Sequence, residues 1–249
     1  MAVVDHWPRH ARQWALVGPP LRPCAEDLAV VAPYVASARR GAVVLGVTPE
    51  LVALPWRCPV VAVDRDREVI AALHAGAGAV AADWRALPVA TSSVDVVVGD
   101  GCLSFFAVAD YPVVARELAR VLVPGGRAVL RLFAASEPRA PLAAIDPAAC
   151  ASFDALKWRI AMALGEAVPV TAIKAAFDAR FADRAALAAH TGWRRDVIDA
   201  IDVYAGSPAI YTFPTLSRAA AAVAPALAVV SVHAPSYDAC YPTVVLHSG

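Results

Sequence analysis

Gly41-Ala42-Val43-Val44-Leu45-Gly46-Val47-Thr48-Pro49-Glu50-Leu51 holds the end of one structural element and the start of the next. Ala42 to Leu45 is an unbroken aliphatic run, short and rich in valine, and reads as a strand buried on both faces. Gly46 lets the backbone approach a ligand closely. Thr48 suits a helix N-cap, Pro49 the first helical position and Glu50 the first turn. The segment is therefore strand, turn, helix start. It is neither G-x-G-x-x-G nor the phosphate loop G-x-x-x-x-G-K-S/T. Pro49 removes an N–H where a phosphate cradle needs one, and Glu50 adds negative charge. The turn suits a phosphate-free nucleoside with an amino-acid tail better than a pyrophosphate; a purely structural turn is the equal alternative.

Three more strong runs follow: Pro59 to Val63, Val94 to Val98, and Arg127 to Phe133, with a weaker one at Ala79 to Ala82. Between them, Glu68 to His74 and Tyr111 to Val121 carry apolar residues at helical spacing. This alternation predicts right-handed crossovers and a doubly wound, mostly parallel α/β sheet. Pro124-Gly125-Gly126 reads as a turn before the Arg127 strand. Helices are expected at Ala11 to Leu16 and Cys24 to Ser37. Beyond Phe133, Pro138, Pro141 and Pro147 mark a loop, and helical patterns follow at Ser152–Leu164, Val170–Ala182 and Arg184–His190. Strand-like runs return at Leu227–His233 and Tyr241–His247. The expected organisation is an α/β unit of residues 1–140 and 219–249, with helices in 1–40 covering the site. Residues 141–218 form a helical insertion, a lid between the fifth and sixth strands.

Composition narrows the function. The 249 residues are 59% hydrophobic, and 22 basic residues balance 22 acidic ones. That neutrality argues against nucleic acid or a membrane surface as partner. A mean hydropathy of +0.55 comes from dispersed Ala and Val. The longest apolar stretch, Ala219 to Val230, is broken by Pro225 and falls short of the roughly 20 residues of a spanning helix. Asp5, His6, Arg9 and Arg12 leave no apolar core for a signal peptide. Five cysteines without C-x-x-C fit a reducing cytoplasm and neither a disulfide framework nor a zinc site. His6 and His10 are four apart, but Pro8 between them disfavours a helix, so a metal pair is not expected.

In an open α/β sheet, ligands bind beyond the carboxyl ends of the strands. The second strand ends at Asp64, whose carboxylate can accept from both hydroxyls of a ribose. The weak strand leads to Asp83-Trp84, an acid and an aromatic suited to a purine amine and its ring face, or to ordinary core-edge packing. The next strong strand ends Gly99-Asp100-Gly101, which places a carboxylate at the crevice.

The order Leu45-Gly46, Asp64, Asp83-Trp84, Ser93-Val94-Asp95-Val96-Val97, then Leu122-Val123-Pro124-Gly125-Gly126-Arg127 resembles the class I S-adenosylmethionine (SAM)-dependent methyltransferases. The resemblance spans roughly Ala42 to Phe133. It implies that Gly46 and Thr48 lie along the methionine moiety, Asp64 holds the ribose, and Asp83 and Trp84 hold the adenine. Asp100, with Gly101, would lie near the methionine amino group or the substrate. The family's three glycines after the first strand are not all present, because Thr48 and Glu50 replace the second and third. Trp14 would cover the cofactor, and Arg22 would pair with its carboxylate.

The implied reaction is in-line transfer of a methyl group from SAM to an O, N or C nucleophile of a small molecule, leaving S-adenosylhomocysteine, with no metal. The protein mainly supplies orientation and exclusion of water. Candidates for a base are His190, Tyr211, His233 and Asp100, each with an ordinary structural role as the alternative. Phe105, Tyr204 and Tyr211 are read as substrate walls, and Trp158 and Phe213 as the insertion's own core. The expected protein is cytoplasmic, monomeric or homodimeric. A non-catalytic methyltransferase-like partner subunit is the alternative, and the missing G-x-G-x-x-G disfavours an NAD-type oxidoreductase.

Overall fold

The computed structural model describes residues 6–74 and 78–248. Its strands are β1 (Ala42–Leu45), β2 (Val60–Asp64), β3 (Ala79–Ala81), β4 (Val94–Asp100), β5 (Leu122–Arg131), β6 (Ala167–Pro169), β7 (Ile210–Thr212), β8 (Ala228–His233) and β9 (Thr243–His247). Seven of them form one sheet in the order β3-β2-β1-β4-β5-β9-β8, and β6 pairs with β7 separately. β1 to β5 are mutually parallel where they pair. β9 runs antiparallel to β5, and β8 antiparallel to β9. The α/β reading therefore holds, and the order reverses between β1 and β4, the switch point where such sheets bind ligands.

The helices are α1 (Trp7–Arg12), α2 (Ala25–Ser37), α3 (Pro49–Val52), α4 (Arg67–Leu73), α5 (Tyr111–Val121), α6 (Phe153–Leu164), α7 (Val170–Arg180), α8 (Arg184–Thr191), α9 (Arg195–Asp199) and α10 (Leu216–Val223). The sheet alternates its side chains between two cores, as the two-residue strand period requires. Val43, Leu45, Val97 and Leu130 pack with Leu118 of α5 and Val223 of α10. Val44, Val96, Val98 and Val129 face Val35 of α2, Leu51 of α3 and Val69 of α4. A third core joins Phe153, Leu156, Ile173, Phe177 and Phe213 of the segment after β5 to Val17, Leu21 and Tyr241.

Four sequence expectations change. Pro124-Gly125-Gly126 is not a turn ahead of the strand but lies within β5. There the pairing with β4 skips from Val94–Leu122 to Val96–Arg127. A Cβ on Gly126 would stand 2.9 Å from the Val123 carbonyl oxygen, so the bulge admits no side chain. Pro8 does not prevent a helix, because it occupies the first turn of α1, where its missing N–H is no loss. Thr48 precedes α3 but makes no side-chain cap. The segment after β5 is helical but contains the β6–β7 pair, and α10 begins at Leu216, already packed against α5.

Among the described residues no helix is long and apolar enough to cross a membrane. The outer strand β8 leaves Val229, Val230 and Val232 exposed.

Candidate functional site

A cleft of about 1050 Å³, open mouth included, lies at the carboxyl ends of β1, β2 and β4. Gly46 and Thr48 from the turn after β1, Asp64 from the end of β2, Asp83 and Trp84 after β3, and Asp100 and Gly101 at the end of β4 all line it. Parallel pairing explains the convergence: Leu45 is level with both Val63 and Gly99, so the next residues share one rim. Trp7, Trp14 and Leu21 close it from the N-terminal segment, and Phe105, Phe106, Phe133, Trp158 and Tyr211 from the other side.

Gly46 has φ +92°, which favours glycine, and a Cβ there would stand 3.9 Å from each of Asp64 Oδ2, Thr48 Oγ1 and Trp84 Cζ2. The glycine keeps that corner open. Asp64 Oδ1 accepts the Asp66 amide at 2.9 Å. Burial pushes the Asp64 carboxyl up to about 6, with partial offset from that amide. Trp84 donates its indole N–H to the Val63 carbonyl at 2.5 Å, which fixes the ring beside the end of β2. Asp83 is instead held by Arg85, at 2.7 Å from its Nη2, and that bond keeps its carboxyl below the usual range.

Asp100 lines the cleft but is not free. Arg131 grips both its oxygens, at 2.7 and 2.9 Å. The same guanidinium lies 3.3 Å from Asp27 and donates to Tyr237 at 2.8 Å. Burial opposes the Arg131 charge, but Asp100 and Asp27 outweigh it and hold the guanidinium above its ordinary value. The cluster is buried; burial pushes the Asp100 carboxyl above its ordinary value against the pull of Arg131, and Asp100 is no general base while Arg131 holds it.

Aromatic rings give the cleft a direction. Trp84 meets Phe105 at 5.9 Å between centroids, Phe105 meets Tyr211 at 5.6 Å, Tyr211 meets Trp158 at 4.8 Å, and Trp158 meets Phe133 at 5.3 Å. Phe133 in turn covers Gly101, where a Cβ would come within 2.8 Å of its ring. One end of the cleft thus carries Gly46, Asp64 and Trp84, and the other is walled by rings. Trp14 and Trp158 each bury an indole N–H without a hydrogen-bond partner.

Ten of the sequence-derived positions meet in this cleft: Gly46, Thr48, Asp64, Asp83, Trp84, Asp100, Gly101, Trp14, Phe105 and Tyr211. Arg22 does not line it. Its guanidinium bonds Glu50 at 2.7 Å and lies over the Trp14 ring. Tyr204 is fully buried in the third core, under Lys157, and does not line the cleft. Trp158 is buried in the third core, as expected, and its ring, packed on Phe133, also contributes to the cleft wall. His190 ends α8, and His233 is exposed on β8 beside Ser231; neither lines the cleft. Trp7 lies in the N-terminal segment expected to cover the site, whereas Phe106, Phe133 and Arg85 were not singled out from the sequence. Phe106 and Arg85 adjoin residues that were, and that adjacency was the available signal.

The family model described as "Methyltransferase domain" matches residues 43–130, the stretch that supplies the Gly46, Asp64, Trp84 and Asp100 rim. Over those residues the chain is similar to methyltransferase domains. No curated protein matches the chain in sequence. Solved structures share the fold. One is a Burkholderia thailandensis 1,6-didemethyltoxoflavin N1-methyltransferase with 1,6-didemethyltoxoflavin and S-adenosylhomocysteine bound. It is 12% identical with a TM-score of 0.52, and the match covers 90% of this chain and 77% of that one. Another, from Haloferax volcanii, holds the Trm112 methyltransferase activator with a provisionally assigned methyltransferase: 13% identity, TM-score 0.53, 99% of each chain. A third, from Rhodobacter sphaeroides, is provisionally assigned to the zinc-dependent alcohol dehydrogenases: 11% identity, TM-score 0.65, 98% and 97% coverage. At these identities the likeness is one of fold. The turn after β1 lacks the G-x-G-x-x-G of a dinucleotide site.

Proposed function

We propose that this protein transfers a methyl group from S-adenosylmethionine to a small molecule held against the aromatic end of the cleft. The observation that carries this reading is continuity: one cleft joins the Gly46–Asp64–Trp84 corner to the Phe105–Tyr211–Trp158 wall. The donor set at the first end fits a phosphate-free adenosine. The absent Cβ of Gly46 leaves a cradle between Asp64, Thr48 and Trp84. Asp64, half-buried with one oxygen toward that cradle, would accept ribose hydroxyls, and Trp84, locked by Val63, would cover the adenine. Asp83 would lie at the base's edge with Thr48 along the amino-acid tail, and Gly101 would leave space beside Asp100.

Bound there, the sulfonium supplies an electrophilic methyl group with a good leaving group. The chain's own residues then orient and dry the site. Trp7 and Trp14 close it from the N-terminal side, and residues 141–218 act as the substrate lid, contributing Trp158 and Tyr211.

Calorimetric titration tests the reading. S-adenosylmethionine and S-adenosylhomocysteine are expected to bind at micromolar affinity, and Asp64→Ala to weaken both about tenfold or more. A folded protein that binds neither, or that binds NAD in their place, overturns it.

A further inference from the structure

The segment after β4 reads Gly101-Cys102-Leu103-Ser104-Phe105. Gly101 swings the chain out of the strand, and Cys102–Phe105 form one tight helical turn, with the Ser104 amide on the Gly101 carbonyl at 3.1 Å. With three residues per turn, successive side chains leave on different sides. Cys102 and Leu103 enter the core that holds Leu118 and Leu130, whereas Ser104 and Phe105 line the cleft. Ser104 is only 4% exposed. Among the described residues its hydroxyl has no hydrogen-bond partner.

A second donor is unspent at the same end. The turn that carries Ser104 packs against β7, which brings Tyr211, and Tyr211 packs edge-on against Trp158 at 4.8 Å. Trp158 is 1% exposed, and its indole N–H is buried without a partner. Its ring neighbours offer none. Phe133 and Phe213 have no acceptor, and the Tyr211 hydroxyl is committed to His6 at 2.5 Å. A buried donor left unpaired costs about 1–3 kcal/mol, and two on one cleft wall point to a guest that pairs them.

Charge narrows the guest. The cleft's Asp64, Arg65, Asp66, Asp83 and Arg85 belong to its adenosine corner or the turns beside it. At the ring end the charged side chain is Asp100, and Arg131 grips both its oxygens. Lys157, behind the wall, is paired with Asp154 at 2.7 Å. An ionised guest would shed its hydration there and meet no countercharge. Ring walls favour a flat π-system, whose lone pairs lie in the ring plane at its edge.

We propose that the methyl acceptor is an uncharged, flat heteroaromatic molecule, and that Ser104 Oγ and Trp158 Nε1 donate hydrogen bonds to lone pairs on its edge. An all-carbon arene leaves both donors unpaired, and a carboxylate brings a charge that nothing answers. Ser104 and Trp158 are binding residues, and neither moves a proton. The inference rests on the methyl-transfer reading and adds the acceptor's class to it.

The test titrates three probes into the full chain saturated with S-adenosylhomocysteine. Quinoxaline has the shape of naphthalene with two ring nitrogens in place of C–H groups, and 2-naphthoate adds a negative charge. Water solvates the ring nitrogens, so a wall without donors binds quinoxaline the more weakly. Quinoxaline is instead expected to bind at least as tightly as naphthalene, and 2-naphthoate about tenfold or more weaker than quinoxaline. Ser104→Ala is expected to weaken quinoxaline about fivefold, with naphthalene and S-adenosylhomocysteine within about twofold of the unmodified chain. Trp158→Phe keeps a ring, loses the N–H, and is expected to lower the same quinoxaline-to-naphthalene ratio. A ratio that either folded variant leaves unchanged, 2-naphthoate as the tightest of the three, or no probe bound by a chain that still binds S-adenosylhomocysteine overturns the proposal. Failure of the unmodified chain to bind S-adenosylhomocysteine instead overturns the cofactor reading beneath it.

Discussion

Arg22 and Glu50 meet beside the turn after β1, with Arg22 Nε 2.7 Å from Glu50 Oε1 and the guanidinium 5.5 Å above the Trp14 ring. Glu50 lies in the first turn of α3, and the chain neutralises that carboxylate itself. The negative charge that made this turn poorly suited to a pyrophosphate is answered by an arginine brought in from ahead of α2. Arg22 thereby serves the turn, and not directly the ligand's carboxylate that the sequence had suggested.

Arg22→Ala strips Glu50 of its partner while the carboxylate stays largely buried and its Oε2 has no hydrogen bond. Arg22 is itself a third exposed, so the expected loss is about 1–2 kcal/mol in chemical denaturation. Adding Glu50→Gln removes the stranded charge and should return part of that loss. A double variant less stable than Arg22→Ala alone contradicts this account.

Asp64 ties stability and ligand affinity to pH in opposite senses. Its folded value, about 6, lies above the 3.8 of a free carboxyl because burial favours the neutral acid. Its contribution to stability is therefore full below the unfolded value and is lost as pH rises through about 6. Asp64→Asn should flatten that part of the stability profile and be the more stable protein at neutral pH, by on the order of 1–3 kcal/mol. Affinity for S-adenosylhomocysteine should rise across the same window, since ribose hydroxyls favour the ionised acceptor. Stability curves of the two proteins that run parallel between about pH 4 and 7 would exclude the effect.

Gly101 has φ +62°, and an added Cβ would strike the Phe133 ring at 2.8 and 2.9 Å. Gly101→Ala combines backbone strain with overpacking, and a loss of about 2–4 kcal/mol is expected. Differential scanning calorimetry would show it as a lowered melting temperature. Gly125 offers the internal control: it also has positive φ, +81°, but its Cβ would meet nothing within 4 Å. Gly125→Ala should cost clearly less.

Arg131→Met leaves Asp100 and Asp27 buried without their cation, at 5% and 4% side-chain exposure. The expected cost is about 3–5 kcal/mol. Replacing Asp100 by Asn in that background should recover more stability at higher pH than at lower pH, because burial opposes ionisation of the stranded carboxyl. Urea denaturation at two pH values checks both statements, and a single Arg131→Met variant of unchanged midpoint refutes them.

The sheet was legible because its strands carry valine on both faces, a pattern few other elements produce. Once the strands are placed, their ends follow, and so Gly46, Asp64 and Asp100 could be named from spacing alone. The remainder depended on contacts that no local pattern encodes. β6 is three residues long and ends in Pro169, so it leaves no alternation to read. Lys157 and Trp158 are neighbours on one helix, and only the packing of α6 decides which faces Asp154 and which the cleft. Tyr211 was legible as a polar aromatic, but its partner His6 lies 205 positions earlier. Arg131 sits at the end of a strand that was recognised, yet nothing in its surroundings foretells that it would occupy Asp100.

The cleft borrows its walls from three separate stretches, 7–21, 45–106 and 133–211. No one of them encloses it, so a small molecule lodged there can bind only when all three are seated together. Such a molecule works as a clasp: occupancy draws down every partly opened form of the chain, by an amount set by concentration relative to dissociation constant. Resistance to limited proteolysis should then climb with ligand even at peptide bonds remote from it, and a protease becomes a reporter of whether the chain is whole.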